Sequence, residues 1–200
     1  MKYKRIGAYL IDYLFLSMIL VLVAQLKIIN PYYDEYIENY EKYEELLEKE
    51  NIENLANIYK DEKYMVYYQN VSKYGAFISG VFTLCYLFYF VGFQKWNKDQ
   101  SLGKKIMKLK VVDKEGNSPS VFKYIIRTML IYNLFVSIII ISLAFVLGAK
   151  EYLYSSMIIN VLGYVFLYSN FIVYIFRKDN KGIHDLIVGT SVMEVENVNK

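Results

Sequence analysis

Tyr152–Phe176 reads YLYSSMIINVLGYVFLYSNFIVYIF, a run without a single charged side chain. A helix rises 1.5 Å per residue, so about 20 apolar residues cross the roughly 30 Å hydrocarbon core of a bilayer. This run is long enough to do so. Three other stretches repeat the pattern. Ile6–Leu26 is interrupted by one charge, Asp12; Tyr74–Phe93 has none; Ile125–Gly148 carries Arg127 in its first turn. The chain is 56% hydrophobic with a mean hydropathy of +0.21, yet 22% of it is charged, so charged and apolar segments must be segregated. The sequence therefore predicts an all-α membrane protein, a single domain over residues 1–200 built as a four-transmembrane-helix bundle. Only a few residues around Gly148, Lys150 and Glu151 separate the third and fourth spans, which predicts a tight antiparallel hairpin. The first apolar run is too long for the h-region of a signal peptide, and no small-residue cleavage site follows it.

Charge then orients the spans. The N-terminal tail, the segment from Lys95 to Arg127 and the tail from Arg177 onward hold 16 basic and seven acidic residues. The segments on the other side hold seven basic residues and 12 acidic ones. Basic loops stay inside, so the expected location is the cell membrane, multi-pass, with N- and C-termini cytoplasmic.

The acidic segment, about 27–73, has helical periodicity. Tyr36, Tyr40, Tyr43 and Leu47 fall on one helical face, and Ile52, Leu55 and Tyr59 repeat in the same way. This predicts an extracytoplasmic helical hairpin insertion that extends the first two spans; a cation-collecting vestibule is the sharper alternative. On the cytoplasmic side, about 94–124, Lys95-Trp96 suits an interface anchor, and Ser101 suits the cap of a short helix over Leu102–Met107. Leu109–Asp113 reads as a short strand, Lys114–Asn117 as a turn, and Pro119 sits near the start of the third helix. Residues Leu186–Val195 have β character and could pair with Leu109–Val112, forming a short β element on the cytoplasmic side.

Familiar catalytic chemistry is missing from the pattern. Gly103-Lys104 lacks the rest of a phosphate-binding loop, and no nucleophile elbow, zinc-protease or C-x-x-C spacing occurs. The single Cys85, within an apolar run, reads as an inert packing residue, and the single His184 cannot anchor a His-rich metal site. The expectation is no enzyme, no metal, no cofactor and no nucleic-acid partner. Anionic lipid headgroups account for the basic loop.

The informative residues are polar ones at membrane depth. Asp12 sits about 10 Å inside its span by helix rise. A carboxylate there is costly unless paired or hydrated: it either marks an ion path or locks helices together. Arg5 lies two turns earlier on the same face, too far along the axis for direct contact, so both are expected to face a shared partner. Arg127 enters from the same side and either reaches Asp12 across the bundle or snorkels to headgroups. Asn133, Ser137, Asn160, Ser169 and Asn170 offer interhelical hydrogen bonds, or a polar lining. His184-Asp185 suits a proton-responsive pair, or local capping of the tail, and Gly182 and Gly189 suit turns.

Three ordered motifs carry a resemblance: Arg5-Ile6-Gly7-Ala8-Tyr9-Leu10-Ile11-Asp12, then Ser101-Leu102-Gly103-Lys104-Lys105-Ile106-Met107 continuing to Asp113 and Gly116, then Gly182-Ile183-His184-Asp185-Leu186-Ile187-Val188-Gly189-Thr190, with Arg127 between the last two. The chain resembles the RDD family of prokaryotic membrane proteins, named for one arginine and two aspartates. The resemblance matches Arg5 and Asp12 to the first two and Asp185 to the third. Gly7 stands where an Ala is common, and the acidic loop looks like an insertion. Some members are reported as sodium–proton antiporters. The resemblance implies a small transporter or transport accessory protein, with Asp12 as the ion or proton coupling site assisted by Arg5 and Arg127. Four helices are few for a lone transporter, so a homo-oligomer or a membrane protein partner is expected. The rival reading is a non-transporting membrane module that binds anionic lipid or a protein.

Overall fold

A computed structural model of the chain describes residues 1–48 and 55–195. The elements run α1 (Lys2–Ala24), a 3-10 turn (Lys27–Ile29), α2 (Tyr33–Glu48), α3 (Leu55–Ile58), α4 (Glu62–Tyr74), α5 (Ala76–Leu87), a π-helical turn (Phe88–Phe93), α6 (Gln94–Trp96), α7 (Leu102–Ile106), β1 (Leu109–Asp113), α8 (Val121–Ile131), α9 (Leu134–Val146), α10 (Ala149–Phe176), α11 (Ile183–Val188) and β2 (Thr190–Glu194). Among the described residues three helical stretches are long and apolar enough to cross a membrane: Lys2–Ala24, Ala76–Trp96 and Ala149–Phe176. A fourth is made up if α8 and α9 count as one span.

That pair corrects the expected continuous third span, Ile125–Gly148. The helix stops at Tyr132-Asn133 and resumes with a bend of 72°. Asn133 takes a left-handed φ of 56°, which asparagine tolerates better than most side chains and which no α-helix can continue through.

The described residues within 1–22, 82–134 and 164–200 form one compact unit, and those within 23–81 and 135–163 form a second. In the second unit α2 packs against α4. Asp61 starts α4 by accepting from the backbone N–H groups of Lys63 (2.7 Å) and Tyr64 (3.3 Å), a cap missing from the sequence reading. Ile58, Tyr64, Met65 and Leu153 are buried together, with Tyr43 and Leu47 of the predicted face against them. Tyr36 is half-buried and Tyr40 exposed. The hairpin is therefore helical as expected, but its second arm is α4; the helix begun at Leu55 is only the short α3, and Tyr59 falls in the turn after it. Ile52, Lys49 and Lys200 lie outside the described residues. Gln69 donates to the carbonyls of Ala144 (2.8 Å) and Leu147 (2.7 Å), supplying partners to carbonyls at the end of α9 that the helix leaves free. Asn160 donates to Ser156 of its own helix (2.9 Å), so the interhelical bond expected of it is not formed there.

In the first unit β1 and β2 pair antiparallel, Leu109 opposite Glu194 and Asp113 opposite Thr190. Leu109, Val111 and Val192 turn inward onto Ala8, Val91 and Tyr124. The expected β character of Leu186–Val195 is corrected at its start, because Ile183–Val188 is helical. Two local groups explain this. The Asp185 carboxylate accepts from the Gly182 N–H (3.3 Å) at the helix start, and Gly189 closes the end with a left-handed φ of 69°. The strand begins only after that glycine.

Candidate functional site

One face of α1 points inward in the first unit. Ala8, Asp12 and Leu16 are its buried residues, with Arg5 half-buried on the same stripe. The stripe delivers a cation and an anion into the protein about two helical turns apart, and each finds its own partners.

Asp12 is 1% exposed and accepts three hydrogen bonds from neutral groups. The Tyr89 hydroxyl (2.7 Å) and the Gly103 backbone N–H (2.7 Å) donate to Oδ1, and the Ser101 hydroxyl (2.5 Å) to Oδ2. Tyr89 belongs to the π-helical turn, a local widening that recurs at functional sites. Ser101 caps α7, as the sequence predicted, and spends its proton on Asp12. Gly103 has to be a glycine: a Cβ there would run into the Ala8 carbonyl and sit 3.0 Å from the Asp12 carboxyl carbon. The charged partner is Lys104, whose Nζ stands 3.8 Å from Oδ2. The ammonium is held closer by Ser101 Oγ (3.0 Å) and Gln94 Oε1 (3.2 Å), and it lies 5.6 Å from the Phe90 ring centroid. Burial pulls the Lys104 ammonium down to about 8 despite the opposing pull of Asp12, with Arg127 and Arg5 lowering it further.

Asp185 is bound differently. Its Oδ2 takes a guanidinium hydrogen bond from Arg5 and its Oδ1 one from Arg127, while the Thr190 hydroxyl donates to Oδ1 at 3.1 Å. Arg127 also donates to Thr190 Oγ1 (2.9 Å), and Arg5 to the Asn180 carbonyl. The Asp185 side chain has no exposure at all. Burial works to raise this carboxyl, but Arg127 and Arg5 together hold it well below the usual carboxylate range. His184 is placed by Asn170, whose Oδ1 accepts from the His184 backbone N–H (3.2 Å) and faces ring Nδ1 at 2.8 Å. An oxygen already accepting from that backbone assigns the ring proton to Nδ1, which leaves the Nε2 lone pair toward Arg5 at 3.4 Å. Burial, then Arg127, push the His184 imidazolium down to about 4, so the ring is neutral at pH 7.

The residues singled out from the sequence are thus sorted into two centres. Arg5 and Asp12, expected to face a shared partner, do not: Arg5 pairs with Asp185, which it shares with Arg127, whereas Asp12 faces Lys104. Arg127 accordingly neither snorkels nor ion-pairs with Asp12: it is buried on Asp185. Gly189 supplies the turn expected of it, and Asn170 orients His184. Asn133 lies at the break in the third span with a buried Oδ1 that has no hydrogen-bond partner among the described residues. Tyr89 stands in none of the motifs quoted above, and Lys104 and Thr190 stand in them without an assigned role. Nothing in their spacing marks them; their roles follow from contacts across 77, 92 and 63 positions of sequence. Among the described residues no group of three or more His, Cys, Asp or Glu side chains is placed to hold a metal ion. Chemically, the Asp185 centre is a carboxylate saturated by contact cations, and the Asp12 centre a carboxylate with neutral donors and a more distant cation.

A family model described as the RDD family matches residues 3–189. No curated protein and no solved structure matches the chain.

Proposed function

This chain belongs to the RDD family, and from that premise we propose that it exchanges a monovalent cation for a proton at Asp12. In this reading α8 and α9 together make the third of four spans, both termini are cytoplasmic, and the acidic hairpin of α2 and α4 is external. The charge asymmetry of the loops supports the orientation. One observation supports the exchange above the others: Asp12 is buried within a span-length helix, yet the ammonium of Lys104 stands off at 3.8 Å rather than in contact. Buried carboxylates at membrane depth are costly and concentrate on ion and proton paths. A carboxylate closed by two contact guanidiniums has no vacancy for a passing ion; one held by a hydroxyl, a phenol and an amide N–H does. Arg5 and Arg127 act in this reading as positioning residues, since they hold Asp185 and not Asp12.

The test is cation-driven proton flux in proteoliposomes, wild type against Asp12→Asn, at matched monodisperse reconstitution and across sodium, potassium and lithium gradients. Flux in the wild type that is lost in the variant is the expected result. Flux in neither would overturn it and leave the non-transporting membrane module, which binds lipid or a protein partner. Flux retained in the variant would remove Asp12 from the path.

A further inference from the structure

Three large apolar side chains stand exposed on the first unit at the ends of span-length stretches or between them. Trp96 is 83% exposed, Ile106 65% and Phe122 69%. They come from three elements that are tied together. Lys95 of α6 donates to Ser118 Oγ (2.5 Å) and to the Pro119 carbonyl (2.6 Å), which fixes α6 against the entrance of α8. Lys105 of α7 reaches Asn97 Oδ1 (3.4 Å), which fixes α7 against the end of α6. The apolar three are therefore carried by one assembly.

Its charge is one-sided. Residues 94–123 contain eight lysines and three acids. Two of the acids are occupied locally: Asp99 accepts from Ser118 (2.6 Å) and Tyr124 (3.0 Å), and Asp113 accepts from the turn N–H groups of Glu115 (3.0 Å) and Asn117 (2.9 Å). Lys98 and Lys105 are exposed and Lys123 is half-buried. Trp96 is also the last residue of a stretch long enough to span, so it lies where hydrocarbon gives way to headgroups. Tryptophan favours that depth, and lysines beside it meet phosphate charge.

We infer that the assembly of Trp96, Ile106 and Phe122 with Lys98, Lys105 and Lys123 is a binding surface for acidic phospholipid headgroups, which it selects over zwitterionic ones. The apolar side chains insert at the acyl boundary and the lysines take the excess negative charge. The inference stands apart from cation exchange and needs only that the chain lie in a membrane.

Trp96 is the single tryptophan of the chain, so its emission reports on this surface alone. Proteoliposomes would contain phosphatidylglycerol and phosphatidylcholine in equal amounts, with the acyl bromine label on one lipid or on the other. Brominated phosphatidylglycerol is expected to quench Trp96 about twofold more than brominated phosphatidylcholine at low salt, given the attraction of each lysine to an anionic surface. The preference should shrink in 1 M salt on the wild type, which needs no variant. It should vanish in a Lys98→Gln, Lys105→Gln, Lys123→Gln triple variant and persist in a Lys42→Gln, Lys63→Gln control. Equal quenching by the two labels in the wild type at low salt would overturn the inference, as would a preference that survives in the triple variant. Quenching by neither would place Trp96 outside lipid and overturn it too. None of these readings depends on whether cations are transported.

Discussion

Asp12 and Asp185 are both buried carboxylates in the same compact unit, and each faces at least one cation. The difference lies in how the charge is met. At Asp185 two guanidiniums make direct hydrogen bonds, one to each oxygen, and a threonine hydroxyl adds a third. At Asp12 the direct bonds come from a phenol, a hydroxyl and a backbone N–H, and the cation waits at 3.8 Å. The first arrangement costs much to open, because removing the anion strands two buried cations. The second loses a charge without stranding any donor it directly binds. The two acids that match the family's pattern are thus met in two ways: one by contact cations, the other by neutral donors with a cation further off.

The largest expected effect tests the fastening side. Asp185→Ala leaves Arg5 and Arg127 buried without their anion, and it should cost about 3–5 kcal/mol. Thermal melts in detergent would show this as a large fall in Tm, or as failure to obtain monodisperse protein. Asp185→Ala as stable as Asp12→Asn would erase the contrast.

Acid acts on the same centre. The ordinary imidazole value is 6.5 and burial lowers that of His184 to about 4, so between those values the unfolded chain binds the extra proton. Stability contributed by the neutral ring is complete above about pH 6.5 and is lost as pH falls toward 4, by on the order of 3 kcal/mol. Asp185, held below its ordinary value, adds a further loss below about pH 4. Melts from pH 7.5 to 4.5 should show the decline in the wild type and a much flatter profile in His184→Gln. A wild-type profile that is already flat would mean that the ring is not held neutral.

Gly103→Ala strikes the Asp12 centre without altering any charge. The new Cβ meets the Ala8 carbonyl, which is backbone and cannot swing aside. A cost of about 2 kcal/mol and loss of exchange are expected, read from Tm and from proteoliposome flux. Full activity in this variant would show that the close approach of α7 to α1 is not needed.

The smallest effect on stability is expected from Asp12→Asn. An amide keeps the Oδ1 acceptor for Tyr89 and Gly103, and its nitrogen can donate to Ser101 once that hydroxyl turns. A cost of about 1 kcal/mol is expected, with flux abolished. A cost as large as that of Asp185→Ala would make Asp12 a fastening residue as well.

Much of this architecture was legible in the sequence because it rests on local rules. Apolar run length announces span-sized helices, Ser101 announces the cap of α7, and Leu109–Asp113 announces a strand that pairs as expected. What could not be read depends on distant partners or on single-residue backbone choices. The spacing of Arg5 and Asp12 shows that they share a face of α1, but not that their partners lie on different elements. Asn133 breaks a run whose apolar pattern continues without interruption. Leu186–Val188, the second half of α11, are apolar enough to read as the start of a strand, and only the reach of Asp185 back to Gly182 reveals a helix start.

The ties on Asp185 also have an order in time. Arg5 and Arg127 precede it by 180 and 58 residues, so during synthesis both guanidiniums are made, and the helices carrying them can form, before their anion leaves the ribosome. The nascent chain must therefore hold two unpaired cations near the bilayer until Gly182–Thr190 arrives. A chain truncated before that segment keeps its span-length helices and lacks the clasp.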